Sequence, residues 1–303
     1  MEYFVSAEDN PYCHWQLELL IESFKLRNLD NSLVIALAQN EGPKMINLAR
    51  NLAGHKRIFV HENIGAKRGC RPLNRPFALY TALQRGLVKQ PFTIIEPDMV
   101  MVRSVVATGF HIAFQTDGGF TRAAVEMELP DGITLKEIVS QGQPDPVNQM
   151  AWLPLGSVSI INGMPNEFFG RILERTEALE LQRRKRQLRD DQEPEGWWYS
   201  ERAGWVLSML EYAGKYRYQG LNELEADLLE TKLRQNFLHY RHGLPPFFCK
   251  YAYRFEPPMG FAMGDVYETL LSHNPTAATN HLQFVTRSYV AKHGSIFSSN
   301  EVA

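Results

Sequence analysis

Apolar and polar positions along the first hundred residues fall into alternating strand-like and helix-like blocks. "EYFVSA" (2–7) is a short apolar run of strand length; Asp9 or Asn10 then caps a helix that Pro11 opens and "YCHWQLELLIESFKL" continues. "SLVIALAQ" (32–39) is the second strand, "KMINLARNLAG" a second helix with a glycine stop, and "RIFVHE" (57–62) a third strand. Asn74, Arg75 and Pro76 begin a third helix running to about Lys89, and "FTII" is the fourth strand. Strand-helix alternation predicts an α/β class with a mostly parallel, Rossmann-like sheet flanked by helices. In such sheets ligands sit beyond the carboxyl ends of the strands, where "FTIIEPDMVMV" (92–102) places Glu96 and Asp98.

After "GFHIAFQTDGG" (109–119) the pattern loosens. "DGITLKEIVSQGQPDPVNQ" reads as a connection, "GSVSIING" (156–163) as a strand, and Pro165 opens a long helix into "RRKRQLRDD". A helical block, "WWYSERAGWVLSMLEYAGKY", follows. The expected division is an α/β half, 1–120, and a more helical half of the same domain, 121–303. No internal repeat is visible. The mixed-sign charges from Arg183 to Asp191 read as a solvated helix end, with a nucleic-acid-gripping helix as the minor alternative.

Charge changes this picture little. Lys and Arg total 32 against 34 Asp and Glu, and a formal charge of -2 provides no whole-molecule attraction to nucleic acid or an anionic membrane. The three cysteines, Cys13, Cys70 and Cys249, lie far apart and argue against a disulfide framework or a zinc cluster. The chain opens directly into "EYFVSA" without a basic-then-apolar leader, and no apolar run approaches the ~20 residues needed to span a bilayer. The expectation is a soluble, cytoplasmic protein.

The pair at 96 and 98 carries the first candidate chemistry. In an extended segment residues i and i+2 share a side, and Pro97 biases Glu96 toward that geometry. Two oxygen donors so held suit Mg2+ or Mn2+ with positions left for phosphate oxygens and water. A surface turn is the competing reading: about four acid-x-acid triplets are expected by chance in such a composition. "EPE" (193–195) and "ELEAD" (223–227) are taken as such cases. The apolar strand before Glu96 sets this pair apart.

A second feature is cationic. No acidic residue lies between Glu62 and Glu96, whereas Lys67, Arg68, Arg71, Arg75, Arg85 and Lys89 do. Arg85 and Lys89 fit a solvated helix face. The others lie in "GAKRGCRPLNRP", a glycine-containing loop running into a helix start, which suits an anion such as a diphosphate.

With these residues in view, "SAEDNPYCHWQ" (6–16), "LNRPFAL" (73–79), "IIEPDMVMV" (94–102), "PLGSVSIING" (154–163) and "ERAGWVLSMLEYA" (201–213) resemble, in the same order, blocks of plant hydroxyproline O-arabinosyltransferases and peptidyl-serine galactosyltransferases. The resemblance implies a GT-A fold, a nucleotide-sugar donor, a divalent metal and retention of anomeric configuration. It puts Glu96 and Asp98 in the place of the metal-binding Asp-x-Asp motif. The strand end Ser6, Ala7 and Asp9 falls at the nucleoside pocket, and Asn74 and Arg75 in the motif before a helix. "LHYRHG" resembles a block with a central His-Tyr, which makes His239 the candidate third metal ligand, ahead of His242. Met99 stands where the family usually has His, and the peptidyl acceptor does not carry over.

The implied reaction is transfer of an arabinose- or galactose-class sugar from a nucleoside diphosphate donor, UDP-linked, to a hydroxyl of a protein, glycan, small molecule or modified DNA base. The 1–120 half then binds the nucleotide sugar and the 121–303 half serves the acceptor. Mn2+ or Mg2+ is the expected cofactor, with Lys67, Arg68 and Arg71 on the diphosphate. Glu201, beside Asp98 in the catalytic set, orients the acceptor or meets positive charge on the sugar; its plain role is a first-turn helix acid. Gly156 and Ser157 line the sugar pocket or simply turn into a strand, and Trp197 and Trp198 stack on sugar or pack. Nucleotidyl transfer and a catalytically silent binding protein on the same scaffold are the alternatives.

Overall fold

The computed structural model describes residues 1–39, 52, 54–115, 158–190, 199–212, 214–227, 232–240 and 276–293. In chain order the elements are β1 (Glu2–Glu8), α1 (Pro11–Lys25), β2 (Leu33–Gln39), β3 (Ile58–Glu62), α2 (Ile64–Lys67), α3 (Asn74–Gln84), β4 (Phe92–Ile95) and β5 (Met99–Met101). Then come β6 (Ile112–Gln115), β7 (Ser159–Ile161), α4 (Asn166–Asp190), α5 (Tyr199–Glu211), β8 (Tyr218–Leu221), β9 (Glu225–Ala226), β10 (Phe237–His239) and α6 (Ala277–His293). A seven-stranded sheet has the order β3-β2-β1-β4-β7-β6-β8, and a three-stranded sheet the order β5-β10-β9. In the larger sheet β7 runs antiparallel to β4 and β6, whereas β1 with β2, β2 with β3, and β6 with β8 are parallel. This is the mostly parallel, helix-flanked α/β sheet anticipated from the alternation.

The described residues group into two units, one of Met1–Glu62, Ile95–Val106 and Glu223–Ala303, the other of Asn63–Ile94 and Ala107–Asn222. In the first, β2 buries all of "LVIALA", the near-continuous apolar run typical of a strand covered on both faces. Helix α1 starts where the sequence marks it. Asn10 is extended, its side-chain oxygen accepts from the Cys13 amide at 2.9 Å, and Pro11 occupies the first turn, where its missing N–H costs nothing.

The small sheet belongs to the same unit. Leu19 of α1, Val100 of β5, Leu238 of β10, and Leu282 and Val285 of α6 form one buried cluster with Tyr240. Each such aliphatic side chain contributes about 1.5–3 kcal/mol relative to exposure, which anchors a sheet of very short strands. The Met101 amide of β5 donates to Ser23 Oγ of α1 at 2.9 Å, and Glu22 of α1 accepts from Ser288 Oγ and Lys292 Nζ of α6, both at 2.6 Å.

In the second unit α3 packs on α4, and α4 on α5. A Cβ on Gly204 of α5 would lie 2.5 Å from Thr176 Oγ1 and 3.0 Å from the Ile172 carbonyl, so glycine permits this close helix approach. Phe168 and Trp205 meet edge to face beside it, centroids 5.7 Å apart. Helix α3 ends at Gln84, short of the expected Lys89. Gly86 takes a left-handed φ of +64°, the Leu87 amide returns to the Ala82 carbonyl at 2.9 Å, and the Gly86 amide to Leu83 at 3.1 Å. That is a glycine-terminated helix stop, which the apolar pattern across it concealed.

Of the expected second helix only Leu52 and Gly54 are described, and the "DGITLKEIVSQGQPDPVNQ" connection, Gly156, Ser157, Trp197, Trp198 and His242 lie outside the described residues. Among the described residues no helix is long and apolar enough to cross a membrane.

Candidate metal centre

Strand β4 is buried throughout and delivers the chain to Glu96. The pair that follows is not extended as the sequence pattern suggests: residues 97 and 98 form a turn, and β5 starts at Met99. Pro97 with its fixed φ suits a turn as well as a strand, and the chain passes here from the larger sheet to the smaller one. Across the antiparallel β5–β10 ladder Met99 faces His239, and the Tyr240 amide donates to the Asp98 carbonyl at 3.2 Å.

This register brings three side chains of the first unit together. His239 Nε2 lies 3.2 Å from Asp98 Oδ1 and 3.5 Å from Glu96 Oε2. One ligand atom from each of Glu96, Asp98 and His239 falls within 4.8 Å of the others. Asp98 and His239 are buried, while Glu96 is a quarter exposed at its side chain. A fourth residue completes the cluster. Glu225 of β9 pairs in parallel with Phe237, two positions before His239, and the period of two puts both side chains on one face. Its Oε1 stands 3.4 Å from His239 Nδ1.

Burial alone would depress the His239 pKa, but Asp98 and then Glu225 outweigh it and hold the group up at about 10. Three carboxylates round a buried imidazole concentrate negative charge that a proton on His239 offsets only in part. Nε2 has a carboxylate oxygen of Asp98 and one of Glu96 within 3.5 Å, Asp98 being the nearer. Two carboxylate oxygens and one imidazole nitrogen in this arrangement fit a divalent cation with positions left for other ligands.

The other candidates occupy definite places. In the first unit Ser6 and Ala7 pair with Ala36 and Leu37 within the β1–β2 ladder. Asp9, buried just past β1, donates its amide to the Ala38 carbonyl at 2.9 Å and accepts from Gln39 Nε2 at 3.1 Å, tying two strand ends together. In the second unit Asn74 holds the basic loop. Its oxygen accepts from the Gly65 amide and its nitrogen donates to Asn63 Oδ1, both at 2.8 Å, while Asn63 Oδ1 also accepts from the Ala66 amide at 2.8 Å. Lys67 ends α2 in an exposed position, and Arg71 lies in the 3-10 turn Arg71–Leu73. Arg68 is ion-paired with Glu177, and Arg75 Nε with Glu201 Oε1 at 2.6 Å. Glu201, in the first turn of α5, is therefore engaged by Arg75. Sequence reasoning missed Glu225, which stands in a segment taken as a chance acid triplet; only the pairing of a two-residue strand reveals it.

No family model matches the chain, and no curated protein matches it. Among solved structures it is similar to the galactosyltransferase LgtC in complex with donor and acceptor sugar analogs, at TM-score 0.41 and 12% identity over 79% of this chain and 87% of that one. An active-site mutant of LgtC is similar at TM-score 0.42 and 11% identity, over the same shares. Overlap of this degree defines no activity.

Proposed function

We propose that the protein is a metal-dependent glycosyltransferase of the retaining type, moving an arabinose- or galactose-class sugar from a UDP-linked donor to a hydroxyl acceptor. The observation that carries this reading is the meeting of Glu96, Asp98 and His239 where β4 ends, the three residues singled out by the resemblance to plant arabinosyl- and galactosyltransferases. Glu96, Asp98 and His239 hold the cation. The imidazole nitrogen favours Mn2+ over Mg2+, which prefers an all-oxygen octahedron. A cation held there offsets charge on a departing diphosphate.

Other residues take the following roles in this reading. Ser6, Ala7 and Asp9 border the nucleoside, with Asp9 keeping the β1 and β2 ends in register. Lys67 and Arg71 are the anion contacts, joined by Arg68 when its pairing with Glu177 loosens. Asn74 shapes their loop. Arg75 orients Glu201, which faces the acceptor or the sugar. Gly156 and Ser157 remain candidates for the sugar pocket.

The test is a panel of nucleotide sugars incubated with the protein and Mn2+. The expected result is release of nucleoside diphosphate, abolished in the double variant Glu96→Ala, Asp98→Ala with its circular dichroism spectrum unchanged. Release of pyrophosphate from a sugar phosphate and a nucleotide would instead establish nucleotidyl transfer. A double variant with full turnover defeats the proposal.

A further inference from the structure

We propose that Glu225 is a positioning residue for the metal centre: it holds the Nδ1–H of His239 and so leaves Nε2 as the metal-binding nitrogen. This rests on the metal reading of Glu96, Asp98 and His239 and extends it by a residue that the sequence did not single out. Neutral imidazole carries one proton on two nitrogens, and the partner of one nitrogen decides which is left to bind a metal. Here the partners differ in kind. Nε2 faces Asp98 and Glu96, at 3.2 Å and 3.5 Å, and the ligand atoms of these three residues converge. Nδ1 faces Glu225, at 3.4 Å, on the far side of the ring.

Glu225 itself is set by backbone, not by a flexible loop. Strand β9 pairs in parallel with β10 through Phe237↔Glu225 and Leu238↔Ala226, and the Phe237 amide donates to the Leu224 carbonyl at 3.0 Å. Its side chain is 11% exposed, so the carboxylate works where water screens it little. A carboxylate behind a metal-binding histidine fixes ring orientation and raises the basicity of the ligating nitrogen, and loss of such a group weakens metal binding about 10- to 100-fold.

Two measurements test this. Mn2+ affinity is determined by calorimetry for the wild type and for Glu225→Gln, which keeps the shape and removes the charge. The expected result is one Mn2+ per wild-type chain and about 10- to 100-fold weaker binding in the variant. In the second, long-range 15N–1H correlation on Mg2+-loaded wild type is expected to show His239 protonated at Nδ1 and bare at Nε2. This readout needs no variant and stands if Glu225→Gln does not fold. Equal affinities in wild type and a folded variant overturn the role of Glu225 while leaving the metal centre intact; the reverse tautomer, with its proton on Nε2, overturns both that role and the assignment of His239 as a metal ligand. A wild type that binds no Mn2+ overturns the metal centre and this role with it.

Discussion

Asp98 and His239 are joined twice: the histidine Nε2 lies 3.2 Å from the aspartate carboxylate, and the amide of Tyr240, the next residue, donates to the Asp98 carbonyl at 3.2 Å. The turn that presents one ligand and the strand that presents the other are therefore held by backbone pairing before any ion arrives. Such preorganisation means that little ordering remains to oppose ligand binding.

The mixed donor set predicts a metal preference. Mn2+ should bind more tightly than Mg2+, and His239→Gln, which exchanges the imidazole nitrogen for an amide, should narrow the difference. Parallel calorimetric titrations of both ions check this. A wild-type preference for Mg2+ would contradict the assignment of His239 as a ligand.

The same histidine predicts two pH effects of opposite sense. Its pKa in the metal-free fold is raised from the ordinary 6.5 to about 10, so its contribution to stability is fully present below pH 6.5 and is lost as pH climbs through about 10. The melting temperature of chelator-treated wild type should thus fall across this window more steeply than that of His239→Gln. Metal competes with the proton on Nε2, so Mn2+ affinity should rise with pH over the same window, by up to about tenfold per unit.

Close helix packing at Gly204 predicts a steric penalty. Gly204→Ala places a methyl 2.5 Å from Thr176 Oγ1, whose hydroxyl donates to the Ile172 carbonyl at 2.7 Å. Overpacking of this kind costs about 1–3 kcal/mol. Thermal unfolding should show a clear loss in Gly204→Ala, part of it recovered when Thr176→Ala removes the obstructing oxygen.

Arg75 and Glu201 should behave as one unit. Their contact is 2.6 Å long, with the carboxylate side chain 8% exposed and the guanidinium 27%. Arg75→Met and Glu201→Gln should each destabilise, and the double variant should be less destabilised than the sum, with a coupling of about 0.5–3 kcal/mol. Strict additivity in denaturant titrations would show that the pair contributes nothing of its own.

Much of this was legible in the chain because local rules dominate its first hundred residues. β1, β2, β3 and β4 are apolar runs between turn residues, and Asn10-Pro11 is a strong helix start. The two acids at 96 and 98 stood out because an apolar strand ran into them. Only the resemblance singles out His239, since nothing in "LHYRHG" by itself distinguishes a ligand from a packed imidazole. Glu225 was not legible at all: its strand has two residues, too few for any periodicity, and its partner strand is separated from it by a further ten positions. The Arg75–Glu201 pair, 126 residues apart, is likewise a product of helix packing.

The most direct test is Mn2+ binding followed by electron paramagnetic resonance, in which free Mn2+ is lost from the spectrum as the protein takes it up. The account predicts uptake of one ion per wild-type chain and none at the same concentration by the folded Glu96→Ala, Asp98→Ala variant. Equal uptake by the two proteins would contradict it.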